Sequence, residues 1–365
     1  MRRYITKILF IQSMLISLLF AGRLSFVDAA RGTPGSVEFG YGGVLNPRGA
    51  YLEQAVQVAS NLQFDWLLIP INWSFYYPTP DSQPDFSTLD RVVTFANQNQ
   101  ISLVFSFSGA PEWALTPQGP NPPQTNSFII SLLQRYAGSI AAIEVFPGAN
   151  TVQGWGTIPD PADYAALYAS LYQTLQEQGI SILMVAGGLE PIRQNSTSGD
   201  MDDIVFLQGL YAAGLKDWMP VISVRLSGLT GDALQPATAK DRYVLRHYEE
   251  IRQVMLNHQH DAGLIWITSL SSPVTIARQS QEAQTIWLSQ AYHLLRAQLF
   301  VGVVFLDAVN PDIQRMNQSG FYLVVDDHNY HPFYTKLRSL IAENSPDVIR
   351  YKRGRPKAEE IVKPQ

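Results

Sequence analysis

The chain has no cysteine. That excludes disulfides, thiol catalysis and thiolate metal sites, and a large domain can do without disulfides because its core suffices. Charge is also sparse: 16% of the 365 residues are charged and the net charge is −5. No basic cluster interrupts the body, so a nucleic-acid partner is not expected. Nucleotide motifs are missing as well. There is no P-loop and no G-x-S-x-G elbow. The run Gly40–Gly43 (GYGG) lacks the third glycine of a dinucleotide fingerprint, Leu45 standing in that place, and reads as a tight turn after a strand. No cofactor is expected. What is abundant is apolar residues, 46% of the chain. They allow one large core, and a single α/β barrel of roughly 250–350 residues fits as well as two smaller domains.

The two ends differ from the body. Arg2, Arg3 and Lys7 precede the apolar run 8–22, and the small residues of VDAA follow, suited to cleavage near Ala29 or Ala30. Residues 1–30 therefore read as an export signal, with no membrane segment beyond it, and the body is expected to be secreted or extracytoplasmic. The run is short for a membrane span of about 20 residues, and an uncleaved anchor is the alternative. Residues 346–365 are charged and poor in apolar residues and read as a solvated tail.

Between residues 33 and 345 short apolar runs alternate with amphipathic stretches. Strands are expected at 37–41, 66–71, 102–107, 141–146, 181–186, 220–225, 264–268 and 301–306, nearly all continuously apolar, as parallel strands buried on both faces are. Three- and four-residue apolar spacing predicts helices at 50–62, 87–98, 127–136, 162–177, 202–213, 241–257, 283–298 and 332–342. Strict alternation implies right-handed βα crossovers and, most simply, a single-domain (β/α)8 TIM barrel, with an open doubly wound sheet as runner-up.

Two His/Asp clusters have metal-ligand chemistry. His258, His260 and Asp261 precede strand seven, on the non-functional end of a barrel, and read as a solvated loop. Asp326, Asp327, His328 and His331 read as a polar turn before the last helix, so no metal site is expected. Asn-x-Ser/Thr sequons begin at Asn72, Asn195 and Asn317.

The segment 64–114 carries Trp66 and Trp73 around strand two, the helix opening D-F-S-x-L-D, and Pro111, Trp113 and Ala114 after strand three. It resembles the retaining glycoside hydrolases with a (β/α)8 barrel, the cellulase-like and β-xylosidase-like clan, and weaker echoes extend the resemblance over residues 37–341. The resemblance implies two glutamates about 5 Å apart, an acid/base and a nucleophile. The clan's acid/base motif I-W-N-E-P-N aligns, on Glu144 and Asn150, with Phe146-Pro147-Gly148-Ala149-Asn150, so glycine stands where the acid is expected. The nucleophile motif I-W-I-T-E reads Ile265-Trp266-Ile267-Thr268-Ser269. Leu68 takes the place of a supporting arginine, and Arg225-Leu226-Ser227-Gly228 replaces a His-x-Tyr element. Glu144 keeps the structural role that the resemblance implies.

Losing the acid/base costs about 10²–10⁴ in rate, and losing the nucleophile removes the covalent path. Other carboxylates lie near strand ends: Glu112, Glu190 and Asp307, with Glu38 in strand one. The first three read either as a relocated acid and base for inverting hydrolysis or as ordinary loop and strand-end carboxylates. Trp73, Phe75, Tyr76, Tyr77, Trp113 and Trp155 occupy top-face loops. They either stack on sugar rings, with Trp73 and Trp113 foremost, or pack those loops together. Tyr76, Asn150, Trp155 and Arg225 complete the expected saccharide contacts. Three readings follow: an exported pseudoenzyme binding carbohydrate or a partner in the old cleft, an active hydrolase with relocated carboxylates, or a scaffold whose top face is plugged by residues 116–126. Oligosaccharide or polysaccharide is the expected partner.

Overall fold

The apolar runs form strands because each is covered twice, by the barrel interior and by a helix. The computed structural model describes residues 30–192, 199–238, 241–311, 321–326 and 328–343. The apolar run before residue 30, the sequons at Asn195 and Asn317, Asp327 and the charged tail lie outside the described residues. Eight parallel strands close into a barrel: β1 (Gly40–Val44), β2 (Trp66–Asn72), β3 (Ser102–Ser108), β4 (Ile140–Val145), β5 (Leu183–Leu189), β6 (Val221–Leu226), β7 (Leu264–Leu270) and β8 (Val301–Leu306). Each pairs with its neighbours in sequence and β8 closes on β1, which settles the barrel over the open sheet.

Among the described residues eight helices of ten residues or more surround it: α1 (Leu52–Asn61), α2 (Ser87–Gln98), α3 (Pro122–Arg135), α4 (Pro161–Glu177), α5 (Asp203–Ala212), α6 (Tyr248–Asn257), α7 (Gln281–Arg296) and α8 (Phe333–Ala342). Their starts follow capping chemistry. Asp160 caps α4 and Asp202 caps α5, each accepting from first-turn amides. α3 begins earlier than its apolar spacing suggests, because Asn121 caps it and prolines occupy the first turn. α6 begins later. Asp241 is drawn into a bridge with Thr238, so the segment before Leu245 stays irregular.

The GYGG run is not a turn but β1 itself. Glycine is required there by space: a Cβ on Gly42 would stand 2.6 Å from Phe305 Cδ1. Inside the barrel Val44, Trp66, Leu68, Val104, Val185, Trp266 and Phe305 form one apolar cluster, separate from the larger shell between strands and helices. The floor is stoppered by the segment before β1. Trp66 and Trp266, their rings 5.1 Å apart, donate their indole N–H groups to the carbonyls of Arg31 and Gly32, each at 2.8 Å. Glu38 belongs to this floor and not to strand one, since it pairs with Arg31 at 2.5 Å. Arg31 also reaches Asp65 at 3.4 Å, and burial pushes the Asp65 carboxyl up to about 6 against the Tyr41 amide and Arg31, which lower it.

No described helix is long and apolar enough to cross a membrane.

Candidate functional site

A cavity of about 970 Å³ opens at the C-terminal ends of the strands, where barrel active sites form. Its walls come from the loops after most of the strands. Ser, Thr, Asn and Gln side chains are the largest group among the lining residues, with Ser106, Thr268 and Ser271 towards the strands and Asn46, Gln153 and Asn310 in the loops. Four aromatic residues, Phe75, Tyr76, Phe321 and Tyr322, complete the wall. The charged lining residues are Arg48, Arg225, Glu190 and Asp307.

The first wall is held by local chemistry. Asn72 ends β2 and caps the turn Trp73–Tyr76, its Oδ1 accepting from the Phe75 amide at 3.1 Å and the Ser74 hydroxyl at 2.7 Å. Phe75 is thereby turned outwards, and the Arg48 guanidinium lies 3.3 Å from the centre of its ring. Asn310 fixes the loop carrying Arg48, accepting from the Asn46 amide and donating to the carbonyls of Asn46 and Ala50. Tyr76 is buried, and that burial raises its phenol above the ordinary range, Arg48 partly opposing.

The opposite wall depends on a close approach of two strand ends. Gly188, at φ +54°, has no room for a side chain, since a Cβ would stand 2.4 Å from Pro147 Cα. The Gly148 amide donates to the Gly188 carbonyl at 2.7 Å. Asn150 completes the junction. Fully buried, it accepts from the Glu190 amide at 3.0 Å and donates to the carbonyls of Glu190 at 2.8 Å and Met201 at 3.0 Å. The Glu190 carboxylate is left on the cavity wall, paired with Arg225 at 3.1 Å. A Cβ on Gly148 would lie 3.4 Å from Glu190 Oε1. On the other side, Asp307 ends β8 and its Oδ2 accepts from the Ser269 hydroxyl at 2.6 Å.

Of the expected contact residues, Tyr76 and Arg225 line the cavity, whereas Trp73, Trp113, Trp155 and Asn150 do not. Trp73 is stacked on Phe128 at 5.0 Å, and Trp113 packs edge-on against Trp73 while donating to the Tyr77 carbonyl. Trp155 is buried against Phe146 and Gly119. These three tryptophans hold the loops together, and Asn150 is a strut. Glu112 is exposed on a short turn outside the cavity lining, which leaves Glu190 and Asp307 from the set of three strand-end carboxylates. Residues 116–126 are no plug: they form a small antiparallel pair, cover Trp155 and begin α3, contributing nothing to the cavity lining. The residues that sequence reasoning missed are Asn46, Arg48, Asn310, Phe321 and Tyr322. Their one signal was position, in loops following β1 and β8.

Glu144 is buried inside the barrel, its Oε2 accepting from Ser106 at 2.6 Å, and it is not among the lining residues. No carboxylate occurs in residues 146–152 or 264–272, the ends of β4 and β7. The two His/Asp clusters are also accounted for. His258 stacks on Tyr211 at 4.3 Å, and His260 Nδ1 meets the Tyr211 hydroxyl at 2.8 Å. Asp326 accepts from the amides of His328 and Asn329 in a turn, while His331 is buried against Gln284. Among the described residues no group of three or more His, Asp or Glu could hold a metal ion.

No family model matches the sequence, and no curated protein is similar to it. Solved structures are similar in fold. A family 39 glycoside hydrolase from the gut symbiont Bacteroides cellulosilyticus WH2 superimposes with a TM-score of 0.60 at 15% identity, over 83% of this chain and 63% of that one. An exo-β-1,4-mannosidase from Opitutaceae bacterium strain TAV5 gives 0.61 at 11% identity, over 89% and 63%. An endo-β-1,4-glucanase from Xanthomonas axonopodis pv. citri gives 0.58 at 12% identity, over 84% and 99%. The chain thus spans less than two thirds of the first two and nearly all of the third. At these identities the likeness is one of fold: this chain is a closed (β/α)8 barrel of the kind on which those glycoside hydrolases are built.

Proposed function

We propose that this protein is an exported saccharide-binding barrel whose ligand lies in the cavity at the C-terminal strand ends, and that it does not run the two-step chemistry of retaining glycosidases. One observation carries the reading: neutral hydroxyl and amide side chains are the largest group on the cavity wall, interspersed with four aromatic residues and several apolar ones. Such a wall meets the alternating hydroxyls and C–H faces of sugars, while offering little to an apolar or highly charged ligand. The absence of carboxylates from the ends of β4 and β7 supports the second half of the reading. A barrel with a plugged top is disfavoured, because the loop suited to plugging lies elsewhere.

The test is calorimetric titration with β-1,4-linked manno- and gluco-oligosaccharides, the linkages named for two of the solved neighbours. Calorimetry is preferred to indole fluorescence because no tryptophan lines the cavity. Saturable binding that is lost in Phe75→Ala and Asn310→Ala supports the reading. Binding untouched by both substitutions, or absent across the panel, refutes it.

A further inference from the structure

The two carboxylates on the cavity wall occupy related places. Glu190 ends β5, and its Oε1 stands 3.4 Å from where a side chain on Gly148, at the end of β4, would begin. Asp307 ends β8, and its Oδ2 is held at 2.6 Å by Ser269, at the end of β7. Each carboxylate therefore comes from the strand following the one that carries the aligned glutamate position, and each lies against that position. In the closed strand order β4 and β7 are three strands apart, and so are β5 and β8. Turning both members of a pair by one strand in the same sense keeps them on facing walls of one cavity.

We infer that Glu190 and Asp307 are an acid/base pair for glycoside hydrolysis, displaced one strand around the barrel from the retaining pair. The inference rests on the saccharide reading of the cleft. Glu190 is paired with Arg225 and Asp307 accepts from Ser269, and both line the cavity in which the sugar would lie. An inverting pair works with its carboxyls roughly 6.5–9.5 Å apart, a water standing between one of them and the sugar. Glu190, paired with Arg225, is assigned the base. It takes a proton from water as the water oxygen bonds to the anomeric carbon. Asp307 is assigned the acid, which in its protonated form gives a proton to the glycosidic oxygen as the carbon–oxygen bond breaks. One water is consumed, two sugar hydroxyls are produced, and the proton gained by Glu190 returns through solvent to Asp307.

The experiment uses each oligosaccharide that binds in the calorimetric panel. It is incubated with the full chain and followed by proton NMR, which reads both cleavage and the anomer first released. Expected are cleavage with inversion, and a loss of rate of at least about 100-fold in Glu190→Gln and in Asp307→Asn with binding preserved. Saturable binding without cleavage overturns the pair and leaves a pseudoenzyme cleft. Cleavage with retention, or cleavage that survives either substitution, overturns it too. An absence of binding would instead refute the saccharide reading on which the pair rests.

Discussion

Asn150 offers a sharp test of how the site is held, because its side chain alone joins three segments. Its amide accepts once from Glu190 and donates to the Glu190 and Met201 carbonyls, fully out of water. Asn150→Ala removes three hydrogen bonds and strands one N–H and two C=O groups. At about 1 kcal/mol net for each bond, with more where the stranded group stays dry, the expected loss is about 3–4 kcal/mol. Asn150→Asp is more telling. It is nearly the same shape and keeps the acceptor, but it turns a carboxylate oxygen towards two carbonyl oxygens. The aspartate variant should therefore be no more stable than the alanine variant, despite being closer in size. Urea unfolding at pH 7 reads both as a shift in midpoint at constant slope. A loss below about 1 kcal/mol in the alanine variant, or an aspartate variant as stable as wild type, would refute the strut and return Asn150 to the class of ligand contacts.

Two histidines make opposite contributions to the pH dependence of stability. Buried His247 faces Asp203 at 2.5 Å and Glu250 at 3.3 Å, and Arg242 contacts Asp202 and Glu250. Burial opposes its charge, but the two carboxylates outweigh this and raise it from 6.5 to about 9. Its stabilisation is then full below pH 6.5 and is lost as pH rises through about 9, so His247→Gln should flatten the alkaline limb of a stability–pH curve. His331, lowered by burial to about 4, does the reverse: stability falls as pH drops from 6.5 towards 4, and His331→Asn should soften that limb. In β1, Gly42→Ala drives a methyl group to within 2.6 Å of the Phe305 ring. Overpacking of about 1–3 kcal/mol should exceed the roughly 0.5–1 kcal/mol gained by removing a glycine, and an unchanged urea midpoint would refute the crowding argument.

The barrel was legible because its strands are buried on both faces and so read as continuous apolar runs. Residues 301–306 and 87–98 were delimited correctly from that pattern and from helical spacing. β1 was misplaced because Gly-Tyr-Gly-Gly has no strand propensity. Its glycines answer to Phe305 and Val303, which lie far away in sequence. The same blindness affected the tryptophans. Their positions after strand ends were visible, but whether Trp73 meets ligand or Phe128 depends on α3, three elements later. Glu190 and Asp307 were recognisable as strand-end carboxylates. That each lies beside the preceding strand's Gly148 or Ser269 depends on the lateral order of strands around the ring, which no local pattern encodes.

The stoppered floor bears on how the molecule can be attached. Residues 30–32 enter through the barrel's N-terminal end, and the last described helix finishes close by, where the Leu340 carbonyl accepts from Tyr41 and Arg296. Both described ends of the chain thus emerge on the side away from the cleft. A tether at either end, whether a native extension, a fusion partner or a chip surface, would present the cavity mouth outwards. Immobilisation through residue 30 should therefore leave access to the cavity unimpaired.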